Sequence, residues 1–560
     1  MPRIGNNNNP TTSTLTDPST HVTPTTDVTV HEVTPTDSID PTPDSFVSGP
    51  GEAAPFEVYF APYDPAAKAE VGLIDKVLEA REKDPTVYPP GENPYKINYA
   101  VYNLRSPAVI SRLIKAAKMG IDVQVLVESK QIAPEAHWNT VDDKFEAAGL
   151  DVIYEDTDLP MAEREAAHLV GIESNHLMHL KSRIYSYKDP DTGEIQRAVL
   201  SGSMNPGDGA SRNDENLNLI EAPNVIDLYE KKFDDVLRHK RTENVWDPDS
   251  GLNVMFTPAK SGPRPIEKLF EWIDAEDELI LLSVFDMRNI KDPKSKKTMV
   301  EKLVAAKERG AEVIWITDRK KSDGRDSDGN RVMMYGHYAS NNWLDEDLEK
   351  HGIPVYEFTN ESGDFNAVHP KAGLFGLEDI KVMTGAGNWT RASIGSGNKR
   401  GRNEESFIFV ESGKLDDNRA GLRYLSNALY LLRNYDHQNT EHLPAEDMIK
   451  KLQGLPNWPQ VEFDPSNLLP PDFEGEAYLV GDHPALKGKP GEPGLKITNR
   501  STALGAMLRE PIMLPFGTKI EYDIKTHRSD GSLKTFKDDA TFIVMPKDVQ
   551  DPRMPEGIEE

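Results

Sequence analysis

Two short patterns recur along the chain, each made of residues able to act on a phosphodiester. His179-Leu180-Lys181 returns as His369-Pro370-Lys371, 190 residues later. Gly202-Ser203-Met204-Asn205 has its counterpart in Gly385-Ala386-Gly387-Asn388, and Asn213-Asp214-Glu215 in Asn403-Glu404-Glu405. In a strand, residues i and i+2 face the same side, so each His-x-Lys offers an imidazole and an ammonium to one pocket. A phosphodiester is an anion that resists nucleophilic attack. Ammonium groups and carboxamides would neutralise its non-bridging oxygens as charge builds in the transition state. One neutral imidazole can attack phosphorus while the other, protonated, donates to the leaving oxygen. A glutamate on each ring, Glu215 or Glu405, would fix its tautomer and raise its basicity.

Such residues need two similar scaffolds, and the flanking sequence supplies them. The run 97–103 reads as a buried strand, 107–120 as a helix with Val109, Ile110, Leu113, Ile114 and Ala117 on one face and Gly120 as its cap, and 122–128 as the next strand. The same strand, helix and strand recur at 279–286, at 297–310 with Val300, Leu303 and Val304 inward and Gly310 as cap, and at 312–318. Gly120 and Gly310 are again 190 residues apart, so the chain is a duplicated βαβ-containing domain and not a short-period solenoid. The expected class is α/β, two duplicated lobes with mixed or parallel sheets flanked by helices, plus a C-terminal antiparallel β-sandwich. Boundaries are expected at 1–54 (a disordered Thr/Pro-rich tail), 55–245 (first repeat), 246–458 (second repeat), 459–475 (linker) and 476–560 (sandwich).

The doubled pattern of His-x-Lys, Gly-Ser-x-Asn and Glu resembles the phospholipase D superfamily over residues 55–440. That resemblance implies a phosphohistidine intermediate, no cofactor and no metal. The residues themselves leave the order of the two histidines open; the resemblance implies that His179 attacks and His369 acts as acid and base. It also implies roles for Lys181, Lys371, Asn205, Asn388, Glu215 and Glu405, with Ser203 beside the substrate. The family's fuller motif has an Asp after four further residues, where this chain has Ser186 and Gly376. Branches resembling tyrosyl-DNA phosphodiesterase also lack it. The C-terminal region is similar to starch-binding modules, but 486–489 replaces the usual Gly-Asn-Trp turn and Phe536 stands where Trp is common. Glycan contact is therefore expected to be secondary to docking or substrate positioning.

The formal charge of −29 repels polyanions at long range, which favours a phospholipid over nucleic acid as substrate. A phospholipase D-like nuclease or DNA-adduct phosphodiesterase is the alternative enzyme, and a glycan-targeted binding protein with vestigial lobes the alternative of another class. A local basic rim is expected from Arg183, Arg212, Arg391, Lys399, Arg400 and Arg402. His176 and His179 form an HxxH without a clear third ligand, which does not define a metal site. There is no cysteine, hence no disulfide or thiolate chemistry. No apolar run is long enough to span a bilayer, and the first residues lack the apolar core of a conventional signal peptide, leaving a cytoplasmic location and export by another route both open. A monomer with internal pseudo-twofold symmetry is expected.

Overall fold

The computed structural model describes residues 55–545 except 90, 134, 137, 156–158, 175, 208–209, 323–332, 335–336, 339–343, 359–366, 436–442, 464–475, 489, 499–511 and 528–531. The expected tail, 1–54, thus lies outside the described residues.

The first lobe contains β1 (Phe56–Ala61), α1 (Ala66–Lys83), β2 (Lys96–Val101), α2 (Pro107–Lys118), β3 (Asp122–Glu128), β4 (Val152–Ile153), β5 (Leu169–Ile172), β6 (Lys181–Lys188), β7 (Ile195–Gly202), β8 (Glu215–Ile220) and α3 (Pro223–Leu237). Its sheet has the order β1-β8-β7-β6-β2-β3-β5-β4. Strands β2, β3, β5 and β4 run parallel, whereas β6 lies antiparallel to β2.

The second lobe repeats this plan with β9 (Leu252–Thr257), α4 (Pro265–Ala275), β10 (Leu279–Val284), α5 (Met299–Arg309), β11 (Glu312–Asp318), β12 (Val355–Phe358), β13 (Lys371–Phe375), β14 (Lys381–Gly385), β15 (Glu405–Glu411) and α6 (Arg419–Tyr435). The order is β9-β15-β14-β13-β10-β11-β12, the first lobe's topology without the β4 edge.

Local sequence explains the crossover helices. Ser106 caps α2 by accepting the Val109 N–H, and Pro107 occupies the first turn, where a missing N–H is harmless. Thr298 and Glu301 form a reciprocal capping box on α5. Val109, Ile110, Leu113 and Ala116 are buried on α2, while Ile114 and Ala117 lie at the edge of that face. Apolar cores on the outer faces pack α1 and α2 on one sheet and α4 and α5 on the other. A third core is shared by both lobes and continues into the C-terminal strands.

Those strands follow α7 (Ala445–Gln453): β16 (Gln460–Phe463), β17 (Glu476–Val480), β18 (Leu495–Thr498), β19 (Ile512–Pro515), β20 (Lys519–His527) and β21 (Leu533–Ile543). They make a β18-β17-β20-β21 antiparallel sheet and a β16-β19 pair. β16 falls in the segment read as a linker, because Val461 and Phe463 are buried in the shared core. The rest of that segment, 464–475, lies outside the described residues. Trp458 Nε1 donates to Phe516 O at 3.0 Å and Arg433 Nη2 to Gly517 O at 2.6 Å, tying the strands to the second lobe.

The glycine that opens each Gly-Ser-x-Asn-like turn is required by close approach. A Cβ at Gly202 would lie 2.2 Å from Asn216 O, and one at Gly385 would lie 2.3 Å from Ser406 O. Gly385 also takes φ +135°, which a side chain disfavours. Gly202→Ala and Gly385→Ala are each expected to lower unfolding free energy by about 1–3 kcal/mol. Urea unfolding measures this, and unchanged midpoints would contradict the packing argument.

Candidate active site

Both His-x-Lys segments enter their sheets beside the C-terminal ends of the central parallel strands. Lys181 pairs with Val101 at the end of β2, and Lys371 with Val284 at the end of β10. The next residues, Tyr102 and Phe285, donate their N–H groups to Leu180 O and Pro370 O at 2.8 and 2.9 Å. Their rings then lie against the histidines, with centroid separations of 5.2 Å for Tyr102–His179 and 4.6 Å for Phe285–His369. Sequence comparison missed this pair because Tyr102 and Phe285 are 183, not 190, residues apart. The segment joining β10 to α5 is longer than that joining β2 to α2, which shifts the register upstream of the helix.

The imidazole–carboxylate pairs cross between lobes. His179 Nδ1 lies 2.8 Å from Glu405 Oε2, and His369 Nδ1 lies 2.8 Å from Glu215 Oε1. Backbone bridges hold the crossing in place. His179 N donates to Glu404 O at 2.9 Å and Glu404 N to Leu177 O at 2.8 Å; His369 N donates to Asp214 O and Asp214 N to Ala367 O, both at 3.0 Å. Asn403 Nδ2 and Asn213 Nδ2 donate to the same carboxylates at 3.2 and 3.4 Å. Ser393 Oγ adds a bond to Glu405 Oε1 at 2.8 Å. With a carboxylate on each Nδ1, the neutral rings carry their proton there and leave the lone pair on Nε2.

Electrostatics link the two halves into one site. Burial, then the charge of Lys181 and more weakly that of Lys371, hold His179 below the usual imidazole range despite Glu405. Burial and the Lys371 and Lys181 charges depress His369 to about 4 despite Glu215. Each ring therefore feels the lysine of the other lobe. Burial opposes ionisation of Glu215 and Glu405, but their paired histidines and neighbouring lysines keep both below the ordinary carboxylate value. Burial lowers Lys181 to about 8 and Lys371 well below its normal value. Lys181 Nζ sits 3.2 Å from His179 Nε2 and 3.1 Å from its carbonyl; Lys371 Nζ donates to His369 O at 2.6 Å.

Asn205 and Asn388 follow the β7 and β14 turns, and each Oδ1 is buried with no hydrogen-bond partner among the described residues. Turning the terminal amide exchanges oxygen for N–H donors, so both carboxamides retain unused capacity for a ligand.

Arg183 and Ser203 occupy different places from those expected. Arg183 is wholly buried: its Nε donates to Glu70 Oε1 at 2.9 Å, and its Nη1 donates to Lys181 O and Met204 O at 3.0 and 2.9 Å. It shares the strand face of His179 and Lys181 but lies deeper, binding the Lys181 strand to the Asn205 turn. Ser203 is also wholly buried and accepts the Asn216 N–H at 2.9 Å. Ser186, at the position of the family's Asp, donates to Pro94 O at 2.8 Å, while Gly376 adopts φ +81° in a turn. Arg212, Arg391 and Arg402 are exposed, and Arg402 lines a cavity beside Glu404.

The chain matches the family model described as cardiolipin synthase, PLD-like domain, over residues 93–237 and again over 273–418. No curated protein sequence matches the chain. Similar solved structures include phosphatidylserine synthase of Haemophilus influenzae Rd KW20, at 12% identity over 71% of this chain and 92% of that one, with a TM-score of 0.45. Polyphosphate kinase from Porphyromonas gingivalis is 16% identical over 71% of this chain, with a TM-score of 0.41, and this chain spans only 55% of that kinase. Yeast tyrosyl-DNA phosphodiesterase is 11% identical over 65% of this chain and 92% of that one, with a TM-score of 0.35. With the family domain matched twice across more than half its length, the chain belongs to the phospholipase D superfamily of phosphodiester-processing enzymes.

Proposed function

We propose that the protein hydrolyses or transfers the phosphatidyl group of a phospholipid through a phosphohistidine on His179, without a metal. The observation that carries this reading is the crossed pairing, which leaves Nε2 of each imidazole as its reactive nitrogen. The Lys181 ammonium beside Nε2 favours a neutral His179, the state a nucleophile needs. Nε2 then forms the N–P bond as the P–O bond to the leaving group breaks, and His369 gives its proton to the departing oxygen. In the second half His369 takes a proton from water or an alcohol, whose oxygen displaces His179 from phosphorus. Burial depresses His369, so the negative charge of the bound phosphate supplies the pull that protonates it. Lys181, Lys371, Asn205 and Asn388 stabilise the pentacoordinate phosphorus. The charge of −29 supports a lipid over a nucleic acid, which would meet long-range repulsion.

His179→Ala and His369→Ala should each reduce steady-state turnover of bis(p-nitrophenyl) phosphate by about 10³-fold or more. EDTA should leave the wild type unchanged. Because p-nitrophenolate departs without a proton, His369→Ala should still give a burst of about one equivalent, and His179→Ala none. Full activity in both variants would remove the assignment; a burst in His179→Ala alone would exchange the roles.

Productive enzyme has one ring neutral and the other protonated, and both rings are held below the ordinary imidazole value. For an alkyl phosphodiester, kcat/KM should therefore peak below about pH 6.5 and fall on either side. A maximum above neutrality would contradict this protonation scheme. Side by side, phosphatidylcholine or cardiolipin should be turned over while single-stranded DNA is not; soluble starch in the same panel tests the C-terminal strands for glycan binding. Preferred cleavage of DNA would overturn the lipid reading.

A further inference from the structure

Glu404, whose backbone bridges to His179, also lines a cavity of about 330 Å³ built from both lobes. Lys240 and Arg241, just beyond α3, face it with Arg400 and Arg402 from the segment before β15 and His176 from the segment before β6. None of the four Lys and Arg side chains makes an ion pair among the described residues. Arg400 Nη1 donates instead to the carbonyls of Ala259 and Lys260, at 2.5 and 2.9 Å, which fixes its cation without neutralising it. Of the cavity's two carboxylates, Glu173 is exposed, and Glu404 is paired with the buried Lys232. In a chain of net charge −29, this is a local concentration of positive charge, four Lys and Arg side chains against two carboxylates.

Its position relates it to the reaction centre. His176 lies three residues before His179, and Arg402 three before Glu405, the residue that holds the His179 ring. Three extended residues span at most about 10 Å. The backbones of His176 and Arg402 therefore lie within about 10 Å of those of His179 and Glu405, which places the cavity beside the reaction centre. Guanidinium groups bind phosphate oxygens through paired N–H donors, so the favoured anion is a phosphate.

We propose that this cavity is a second phosphate subsite, selecting substrates whose scissile phosphodiester is joined through a short linker to another phosphate group. The proposal rests on His179 and His369 being the reaction centre. The subsite explains how an acidic protein retains a doubly charged ligand: local cations offset the repulsion of the rest of the surface over a few ångströms. It also gives the lobe junction a role in selectivity, since neither lobe supplies all the cations.

The test compares α,ω-alkanediol bisphosphates of increasing length with alkyl monophosphates, as inhibitors of bis(p-nitrophenyl) phosphate turnover at fixed ionic strength. One linker length should inhibit about tenfold or more tightly than the matching monophosphate. That ratio should collapse towards one in Lys240→Ala/Arg241→Ala and largely recover in Arg241→Lys on the Lys240 background. Reading a ratio within each preparation cancels a general loss of active enzyme. A wild-type ratio near one at every length overturns the proposal, as does a ratio untouched by the double variant. Oligothymidylates that inhibit more tightly with each added nucleotide, and lose that gain in the same variant, would assign the cavity to nucleic acid and overturn it too. If the wild type does not turn over the reporter, the assignment of the reaction centre fails separately. Calorimetric titration of the same bisphosphates and monophosphates then decides the subsite by the same ratio.

Discussion

Each imidazole at the centre of the molecule is oriented by a carboxylate from the opposite lobe, and this exchange dictates how the halves meet. Beside the apolar core that the lobes share, the surrounding seam carries polar contacts. Asn216 Nδ2 donates to Thr384 Oγ1 at 3.0 Å and to Tyr424 OH at 3.1 Å; Tyr424 OH then donates to Asn218 Oδ1 at 2.6 Å. Ser201 and Ser406 bring their hydroxyl oxygens to 3.4 Å across the same seam. A buried polar group left without its partner costs about 1–3 kcal/mol, so sliding one lobe along the other breaks several bonds together. An apolar interface would tolerate such a slip more readily. The apolar core shared by the lobes supplies association, and these polar bonds fix its register.

Charge is distributed on two scales. Over the whole chain acidic residues prevail, whereas the site gathers two buried lysines and two imidazoles around two buried carboxylates. Burial suppresses the cationic forms of these groups, and the carboxylates partly restore them. The result is a set of groups responsive to an added negative charge, because any bound anion acts on all four at short range. Glu70 performs a related task one layer down. It neutralises Arg183 and accepts the Tyr99 hydroxyl at 3.0 Å, so a strand bearing two buried cations is supported by an acid from α1.

Much of this architecture is legible from residue spacing. The repeated helix cap, His, Lys and Glu locate the duplication because each is separated from its copy by the same interval. What spacing does not encode is partnership. Glu215 and Glu405 are recognisable as ring partners, but their exchange depends on how the lobes dock, a property of the seam and not of either repeat. Arg183 shows a second limit: alternation along β6 places it on the His179 face, but its depth is decided by Glu70, 113 residues away. Tyr102 and Phe285 escape comparison because a longer connection displaces their register. The C-terminal strands are readable as strands, whereas their attachment through β16 and the shared core depends on packing against α6 and α7.

The crossed pairing also makes completion of the site a late event in the life of the polypeptide. His179 meets its carboxylate only after 226 further residues have been made and folded. A truncated product ending before residue 405 can carry a complete first motif, yet its His179 lacks the carboxylate that orients the ring. During synthesis, a ribosome-bound chain therefore holds this imidazole without its partner. Ring and carboxylate meet when the lobe seam closes, so the same contacts that complete the fold also complete the site.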